Sequence, residues 1–212
     1  MEPIQLINHD TGYKIFYTLR NFYHDYNDNS TTFSGNALFE ELKPRNSREQ
    51  NQWEKNRTEA YNVSRNKFLR ALYHDKLQEE GFLLNYLYIS EGRWQISEPL
   101  TANDILLTDT VTDSKIFYIG TGANRLILTC FGRPVSSKDL QEQNRIINDP
   151  FIFLRRGGII NYLTSRNQGY VRIFSDGTFA GSIGVIPYRN SDFISGIRIS
   201  NMLPFEYGHQ DD

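Results

Sequence analysis

The sequence has few of the residues from which an activity is usually recognised. It contains one cysteine, Cys130, so no disulfide can form within the chain. Cys130 lies in the apolar run RLILTCF, where we expect it to be buried as a small hydrophobic side chain. Histidine occurs four times, with no HExxH motif and no two histidines four residues apart. We therefore expect no catalytic residue, no metal ligand and no cofactor, and we assign no binding residue.

An excess of charge is also missing. Lys and Arg number 23 and Asp and Glu number 25, which gives a net charge of -2 and a pI near 6.1. Proteins that hold a phosphate backbone need a basic surface to replace its counterions. The sequence thus predicts that nucleic acid is not a partner.

Long hydrophobic runs are absent as well. No apolar stretch approaches the roughly 20 residues that a membrane-spanning helix requires. The start, MEPIQLINHD, lacks the basic and apolar regions of a signal peptide. Two interpretations remain open: a cytoplasmic protein, or an exported one whose signal was removed before Met1 was added.

Aromatic residues, in contrast, are abundant. They make up 14% of the chain, with 13 Tyr, 14 Phe and 2 Trp, which argues against disorder despite a mean hydropathy of -0.54. With 212 residues the chain can bury a substantial core, as one domain or as two small ones. Tyr and Phe on an open sheet face also bind peptides or sugars, although they more often fill cores.

The first part of the chain predicts antiparallel strands. In GYKIFYTLR, Tyr13, Ile15, Tyr17 and Leu19 alternate with Lys14, Phe16, Thr18 and Arg20. The turn Asp10-Thr11-Gly12 would pair this strand with IQLIN as a hairpin. TTFSGNALFEEL predicts a further strand, with Gly35 at a bulge or bend.

A long amphipathic helix is predicted next. Between Ser47 and Glu80 there is neither proline nor glycine, Ser47 and Gln50 have capping-box spacing, and Gly81 is a C-terminal stop. The segment Asn62-Val63-Ser64 is where the run could divide into two helices. An apolar stripe is formed by Trp53, Ala60, Ser64, Phe68, Ala71 and Leu72, with Tyr61 on its flank.

The second half predicts short strands. FLLNYLYIS and RWQIS form one strand pair, and after Pro99 follow KIFYIG, RLILTCF, PFIFLR, GYVRIFSDGTFAGSIGVIPY and SGIRI. Asp176-Gly177 predicts a type I′ hairpin turn, and Ser136 with Asp139 caps a short helix. We divide the chain into residues 1–98 with the hairpin and helix, residues 99–207 rich in β-structure and packed with the first region, and a flexible tail, 208–212.

Two groups of polar residues are candidate catalytic or metal sites. Three histidines precede an aspartate, at His9-Asp10, His24-Asp25 and His74-Asp75, but neighbouring side chains diverge on a strand or a helix. The segment DYNDNS resembles the start of a calcium loop at Asp25, Asn27 and Asn29. That loop needs glycine and glutamate where Ser30 and Asn36 stand, so an ordinary polar turn is expected.

Three groups of residues match the pattern of a known family. They are Glu2, Pro3, Asn8, Gly12, Tyr13, Ile15, Tyr17 and Leu19, then Arg57, Ala60, Tyr61, Ser64, Phe68, Leu69, Arg70, Leu72, Glu80, Gly81 and Phe82, and the closing NMLPFEY, residues 201–207. Through them the chain resembles bacterial envelope proteins that carry a carboxypeptidase-regulatory-like N-terminal module followed by a domain of unknown function, and it resembles the region after that module. The resemblance departs at Asn62-Val63, where glycine is expected before the serine, and at Lys67, where histidine is expected. It implies a periplasmic or cell-surface location and supplies no catalytic residues.

These observations favour an α+β fold, mostly antiparallel β-sheet with one long amphipathic helix packed on it. They favour a non-enzymatic envelope module that binds a protein or a polymer such as a glycan. The alternatives are an envelope hydrolase acting on glycans or peptides, and a structural spacer. An enzyme predicts a concave site with converging titratable side chains, whereas a binding module predicts an open face rich in aromatic residues.

Overall fold

A computed structural model describes residues 2–26, 30–91, 93–109, 113–119, 125–146, 159–164, 169–181, 184–187 and 202–208. Contacts divide the chain into two compact units: unit 1, residues 1–61 with 197–212, and unit 2, residues 62–196. The predicted division after residue 98 follows sequence composition rather than these contacts, and it stays a prediction. Within the described residues no helix is long and apolar enough to cross a membrane.

Unit 1 is an antiparallel sheet with one helix. Its strand order is β1-β2-β3. Residues 202–208 belong to the same unit and contact α1, since Tyr61 and Tyr207 pack edge to face at 5.7 Å and the Tyr61 hydroxyl donates to the Gly208 carbonyl at 3.5 Å. The elements are β1 (Ile4–Asn8), β2 (Tyr13–Asp25), β3 (Ser30–Glu41) and α1 (Ser47–Asn62).

The predicted β1–β2 hairpin is confirmed. The pairing runs from Ile4 opposite Tyr17 to Asn8 opposite Tyr13. The turn is closed by the Gly12 N–H, which donates to the Asn8 carbonyl at 2.9 Å while Gly12 has a φ of +69°. The Asn8 side chain accepts from the N–H of Asp10 at 3.0 Å, so this polar residue stabilises the turn.

The alternation of β2 places one face in the core of unit 1. Tyr13, Ile15 and Tyr17 are at most 3% exposed. Trp53 of α1 is also buried, and its indole N–H donates to the His9 carbonyl at 2.7 Å. The first helix therefore packs through its tryptophan on the turn of the hairpin.

The structure has two helices where the sequence predicts one. Ser64 adopts an extended backbone (φ -77°, ψ 153°), which a helix cannot contain, and its side chain caps the second helix by accepting the Lys67 N–H at 3.1 Å. Helix α1 also begins differently from the prediction. Asn46, not Ser47, caps it by accepting the Glu49 N–H at 2.9 Å. Trp53 and Phe68 are both buried as predicted, but in separate units.

The described residues of unit 2 form two antiparallel sheets. One has five strands in the order β12-β9-β8-β4-β5, and the other has four in the order β11-β10-β7-β6. The antiparallel α+β class is thus confirmed. The elements are α2 (Arg65–Tyr73), β4 (Phe82–Ser90), β5 (Arg93–Ile96), α3 (Ala102–Ile105), β6 (Leu106–Asp109), β7 (Ser114–Tyr118), β8 (Arg125–Cys130), α4 (Ser137–Ile146), β9 (Ile159–Thr164), β10 (Tyr170–Phe174), β11 (Phe179–Gly181) and β12 (Gly184–Pro187).

The core of unit 2 is one apolar cluster that draws on both sheets, α2 and α3. Phe68 of α2 and Phe82 of β4 pack edge to face with ring centroids 5.6 Å apart. Cys130 is 3% exposed, and burial raises the pKa of its thiol to about 12. The expectation that this cysteine is buried as a small hydrophobic side chain is confirmed.

Of two local predictions in unit 2, the cap of the short helix is confirmed, and the hairpin turn is confirmed in its position but not in its type. Ser136 and Asp139 cap α4 reciprocally, because the Ser136 hydroxyl accepts the Asp139 N–H at 3.3 Å and the carboxylate accepts the Ser136 N–H at 2.8 Å. Asp176 and Gly177 turn β10 into β11, but Gly177 alone has positive φ, which excludes the type I′ turn predicted. The runs PFIFLR (150–155) and SGIRI (195–199), residues 27–29 of the calcium-like loop and tail residues 209–212 lie outside the described residues.

Candidate functional site

The three His-Asp pairs lie in separate places. His9 and Asp10 are in the β1–β2 turn, where their carbonyls accept from Trp53 and Asn56. His24 lies on β2 with its ring 4.5 Å from that of Tyr26. Across the described residues no three His, Cys, Asp or Glu side chains come together in a way that would hold a metal ion.

The pair that the sequence places in a helix, His74-Asp75, ends that helix. His74 caps α2, and Asp75 has a φ of 54°, the left-handed conformation that stops a helix. The N–H of Lys76 then donates to the Ala71 carbonyl at 2.8 Å, and the N–H of Asp75 donates to the Leu72 carbonyl at 3.3 Å. The role of this aspartate is to close the helix.

A second polar cluster surrounds Asp113 in unit 2. Its carboxylate accepts hydrogen bonds from the Tyr73 hydroxyl at 3.0 Å and the Ser175 hydroxyl at 2.5 Å. Lys115 donates to the Tyr73 carbonyl at 3.0 Å and lies 4.8 Å from the centre of the Tyr73 ring. Both contacts of the Lys115 ammonium are with Tyr73. The cluster fastens the β10–β11 turn to the end of α2.

A third constellation, in unit 1, is built around Arg57. Its guanidinium donates to the Thr11 carbonyl at 2.6 Å and to the Glu41 carboxylate at 2.9 Å, and it stacks over the Tyr13 ring at 4.0 Å. Burial, opposed by the nearby Arg57 and reinforced by Glu41, raises the pKa of the Tyr13 phenol to about 12. A phenol with that pKa stays protonated at neutral pH, and the contacts of Arg57 join the helix to the hairpin.

The open surface of unit 1 has a different character. Strand β1 pairs with β2 only as far as Tyr17, so beyond it β2 and β3 form a two-stranded ribbon. We call residues 18–26 and 30–36 the ribbon. Among its described side chains three aromatic ones are exposed: Phe22 is 64% exposed, Tyr23 63% and Tyr26 89%. Such concentrated exposure of large rings is what a contact surface requires.

The rings occupy both faces of the ribbon. Phe22 and Tyr23 are consecutive residues of a strand, so their side chains point to opposite faces. They lie opposite Phe33 and Thr32 in the strand register. A bulge interrupts the register beside them, where Arg20 is the extra residue between Leu19 and Asn21. The bulge predicted at Gly35 therefore exists, but it is in β2, and Gly35 is the residue opposite Leu19.

Apolar surface continues onto the outer face of the three-stranded sheet. Ile7 on β1 is 58% exposed and Leu38 on β3 is 68% exposed. Phe16 on β2 lies opposite Leu38 in the register, and the Lys14 ammonium is 4.6 Å from the centre of its ring. The ribbon and this face together form the candidate binding surface.

The alternation rule identified the buried half of β2 but not the ribbon. The sequence feature that marks the ribbon is Asn21-Phe22-Tyr23, because two adjacent aromatic residues cannot share one face of a strand. An aromatic residue on both faces means either a strand buried on both sides or an exposed one. The sequence does not show whether this part of β2 is buried or exposed, because that depends on where the pairing of β1 with β2 ends.

No family model, no curated protein and no solved structure matches the chain. The resemblance to envelope proteins accordingly stays a prediction that depends on its matching residues alone.

Proposed function

We propose that the chain is a non-enzymatic module that binds a polymer or protein partner at the bacterial cell envelope. The observation that carries the proposal is the exposure of Phe22, Tyr23 and Tyr26 on one ribbon. The envelope location comes from the resemblance of residues 2–82, and the open ribbon fits a module that contacts large partners rather than small molecules.

Aromatic rings suit extended ligands for a physical reason. A ring presents a flat apolar face, on which the C–H face of a sugar or an apolar side chain loses water, while the Tyr hydroxyl keeps a polar contact. Each such residue buries about 150–250 Å² when fully covered. A ligand that lies along one face of the ribbon would therefore cover a large part of the rings on that face without entering a pocket.

The hydrolase hypothesis has less support among the described residues. The Asp113 cluster is the closest arrangement to a catalytic one, but its Ser175 and Tyr73 hydroxyls both donate to the same carboxylate. A nucleophile needs a base oriented by a third group, and the lysine beside the cluster donates to a backbone carbonyl instead.

Co-sedimentation with insoluble envelope polymers, first peptidoglycan sacculi and then purified glycans, tests the proposal. A Phe22→Ala, Tyr23→Ala, Tyr26→Ala variant should lose binding by about tenfold or more, since each stacked ring contributes on the order of 0.5–1.5 kcal/mol. The matched control is Tyr88→Ala with Tyr170→Ala, which removes two rings that are 40% and 44% exposed outside the ribbon. Equal binding by both variants would contradict the proposal.

A substrate screen separates the two hypotheses. Peptide, ester and glycan substrates should show no turnover above that of a Ser175→Ala, Asp113→Asn variant. Turnover that this variant loses while its fold stays intact would replace the binding module by a hydrolase.

A further inference from the structure

The outer edge of β3 is an unusual strand edge. Strand β3 is twelve residues long and is the last strand in the order β1-β2-β3, so no described strand pairs with its outer side. An edge of this length exposes a row of backbone N–H and C=O groups that can pair with another chain. Proteins usually protect such edges with charges, proline or a bulge.

Glu40 and Glu41 are the only charged residues of β3, and they stand at its C-terminal end. Residues 30–39, STTFSGNALF, contain neither a charged residue nor a proline. The one bulge described in the sheet has its extra residue, Arg20, in β2, so the register of β3 is continuous from Ser34 to Gly35. Over residues 30–39 the edge is therefore regular and uncharged, and it is long enough to pair with a strand of equal length.

We infer that β3 pairs with β3 of a second copy of this chain, edge to edge and antiparallel. A two-fold axis beside Gly35 places Glu40 of one copy opposite Ser30 of the other, so no carboxylate faces another. Parallel pairing in register would instead bring Glu40 and Glu41 against themselves, which is destabilising. The charge pattern thus selects the antiparallel arrangement that a two-fold axis produces.

The amount of contact agrees with a dimer. Antiparallel pairing of ten to twelve residues makes about ten hydrogen bonds, the number that a typical protein interface carries. The 68% exposed Leu38 on this strand would be covered in the same contact. This inference does not depend on polymer binding, since it uses the backbone edge of β3 and the polymer would use the rings of β2; Leu38 is the residue that the two contacts would share.

A charge-swap experiment tests the pairing. Asn36 is exposed near the centre of the edge, so its side chains in the two copies would lie about 5–8 Å apart. The wild-type mass in sedimentation equilibrium should rise with concentration from 24.7 kDa towards twice that value. Asn36→Lys and Asn36→Glu should each raise the dimer dissociation constant about fivefold or more, and an equimolar mixture of the two should restore pairing.

The matched control adds the same charge to the other edge. Gln5→Lys lies on β1 and shares the face of Asn36, so its dissociation constant should equal that of the wild type. Ser34→Lys serves as a second edge variant if circular dichroism shows that either Asn36 variant is unfolded. A wild type that stays monomeric up to about 0.1 mM, or edge variants that dimerise as well as Gln5→Lys, would overturn the inference. An equimolar mixture of Asn36→Lys and Asn36→Glu whose dissociation constant is no lower than that of either variant alone would also overturn it.

Discussion

The carboxylate of Asp75 accepts a hydrogen bond from the backbone N–H of Ala102 at 2.9 Å, so the residue that ends helix α2 also holds the first residue of α3. The other carboxylate oxygen of Asp75 accepts from the Asn103 side chain at 3.3 Å. These contacts explain why an aspartate occupies a left-handed position that glycine would adopt at lower cost. They also show that the carboxylate has a structural role. Asp75 therefore does not serve as a catalytic partner of the neighbouring His74.

Substitutions at this pair should separate structure from chemistry. Asp75→Ala should cost about 1–2 kcal/mol in unfolding free energy, because alanine loses both acceptors and is strained in the left-handed region. Asp75→Asn retains one acceptor and tolerates that region, so it should cost less. His74→Ala, at an exposed position, should stay within about 0.5 kcal/mol of the wild type in urea denaturation. A larger loss for His74→Ala than for Asp75→Ala would contradict this assignment.

The core of unit 2 should depend strongly on Phe68. Its ring is 2% exposed and packs against Phe82, so Phe68→Ala should cost about 3–5 kcal/mol. Leu107→Ala, where the side chain is 51% exposed, is the control and should change stability little. Thermal unfolding of both variants checks the expectation, and an unchanged melting temperature for Phe68→Ala would contradict it.

Two glycines allow backbone strain to be separated from lack of space. Gly12 and Gly132 have similar φ values, +69° and +67°, but a Cβ on Gly12 would lie 2.3 Å from the Trp53 ring, whereas one on Gly132 would lie 3.7 Å from Val63. Gly132→Ala should therefore cost about 1–2 kcal/mol, and Gly12→Ala about 1–3 kcal/mol more. Hydrogen exchange measures each unit separately, and equal losses of protection would show that the tryptophan moves aside.

Acid should weaken the start of helix α4. Hydrogen bonds from Arg133, at 2.7 and 2.9 Å, and from Ser136 hold the pKa of the Asp139 carboxyl well below its usual value. Since the folded-state pKa is lowered, the contribution is complete above the unfolded value of about 3.9 and is lost as the pH falls towards the folded value. Asp139→Asn should cost about 1 kcal/mol at pH 7, and the difference should shrink below about pH 4.

Urea titrations at several pH values measure this difference. The control, Glu79→Gln, removes an exposed carboxylate of the same unit and should leave the unfolding free energy unchanged throughout. A difference for Asp139→Asn that is the same at pH 7 and pH 3 would contradict the assignment.

Features determined by neighbouring residues could be predicted from the sequence. The hairpin at Asp10-Gly12 and the cap formed by Ser136 and Asp139 both depend on side chains within three or four positions of the groups they bind. The alternation of Tyr13, Ile15 and Tyr17 predicted the buried face for the same reason. Such interactions appear in the sequence because the spacing itself places the atoms together.

The length of the helix could not be predicted by the same reasoning. The absence of proline and glycine predicts a continuous helix, with Asn62-Val63-Ser64 as the place where it could divide, but Asp75 adopts the left-handed conformation and Ser64 interrupts the run with an extended backbone. At the N-terminus, Asn46 and Ser47 are adjacent and both can cap, so spacing does not choose between them. Contacts with α3, far along the chain, help to fix Asp75 in its position.

The strand order and the candidate binding surface could not be predicted from the sequence. Strand β7 pairs with β10 and not with its neighbour β8, a choice made by packing between residues more than fifty positions apart. The ribbon exists because β1 is short, and Phe22 and Tyr23 give no sign of where β1 stops. The exposure of these rings therefore follows from the strand pairing of the sheet and not from the sequence.

The contact of Tyr61 with residues 207 and 208 has a consequence for the order of events during synthesis. The Tyr61 hydroxyl meets a carbonyl 147 positions later, at Gly208, and both residues belong to unit 1. A ribosome adding about 5–20 residues each second needs roughly 7–30 s to span that interval. All of residues 62–196 are made in the meantime, so the nascent unit 2 has time to fold while α1 still waits for its last neighbours.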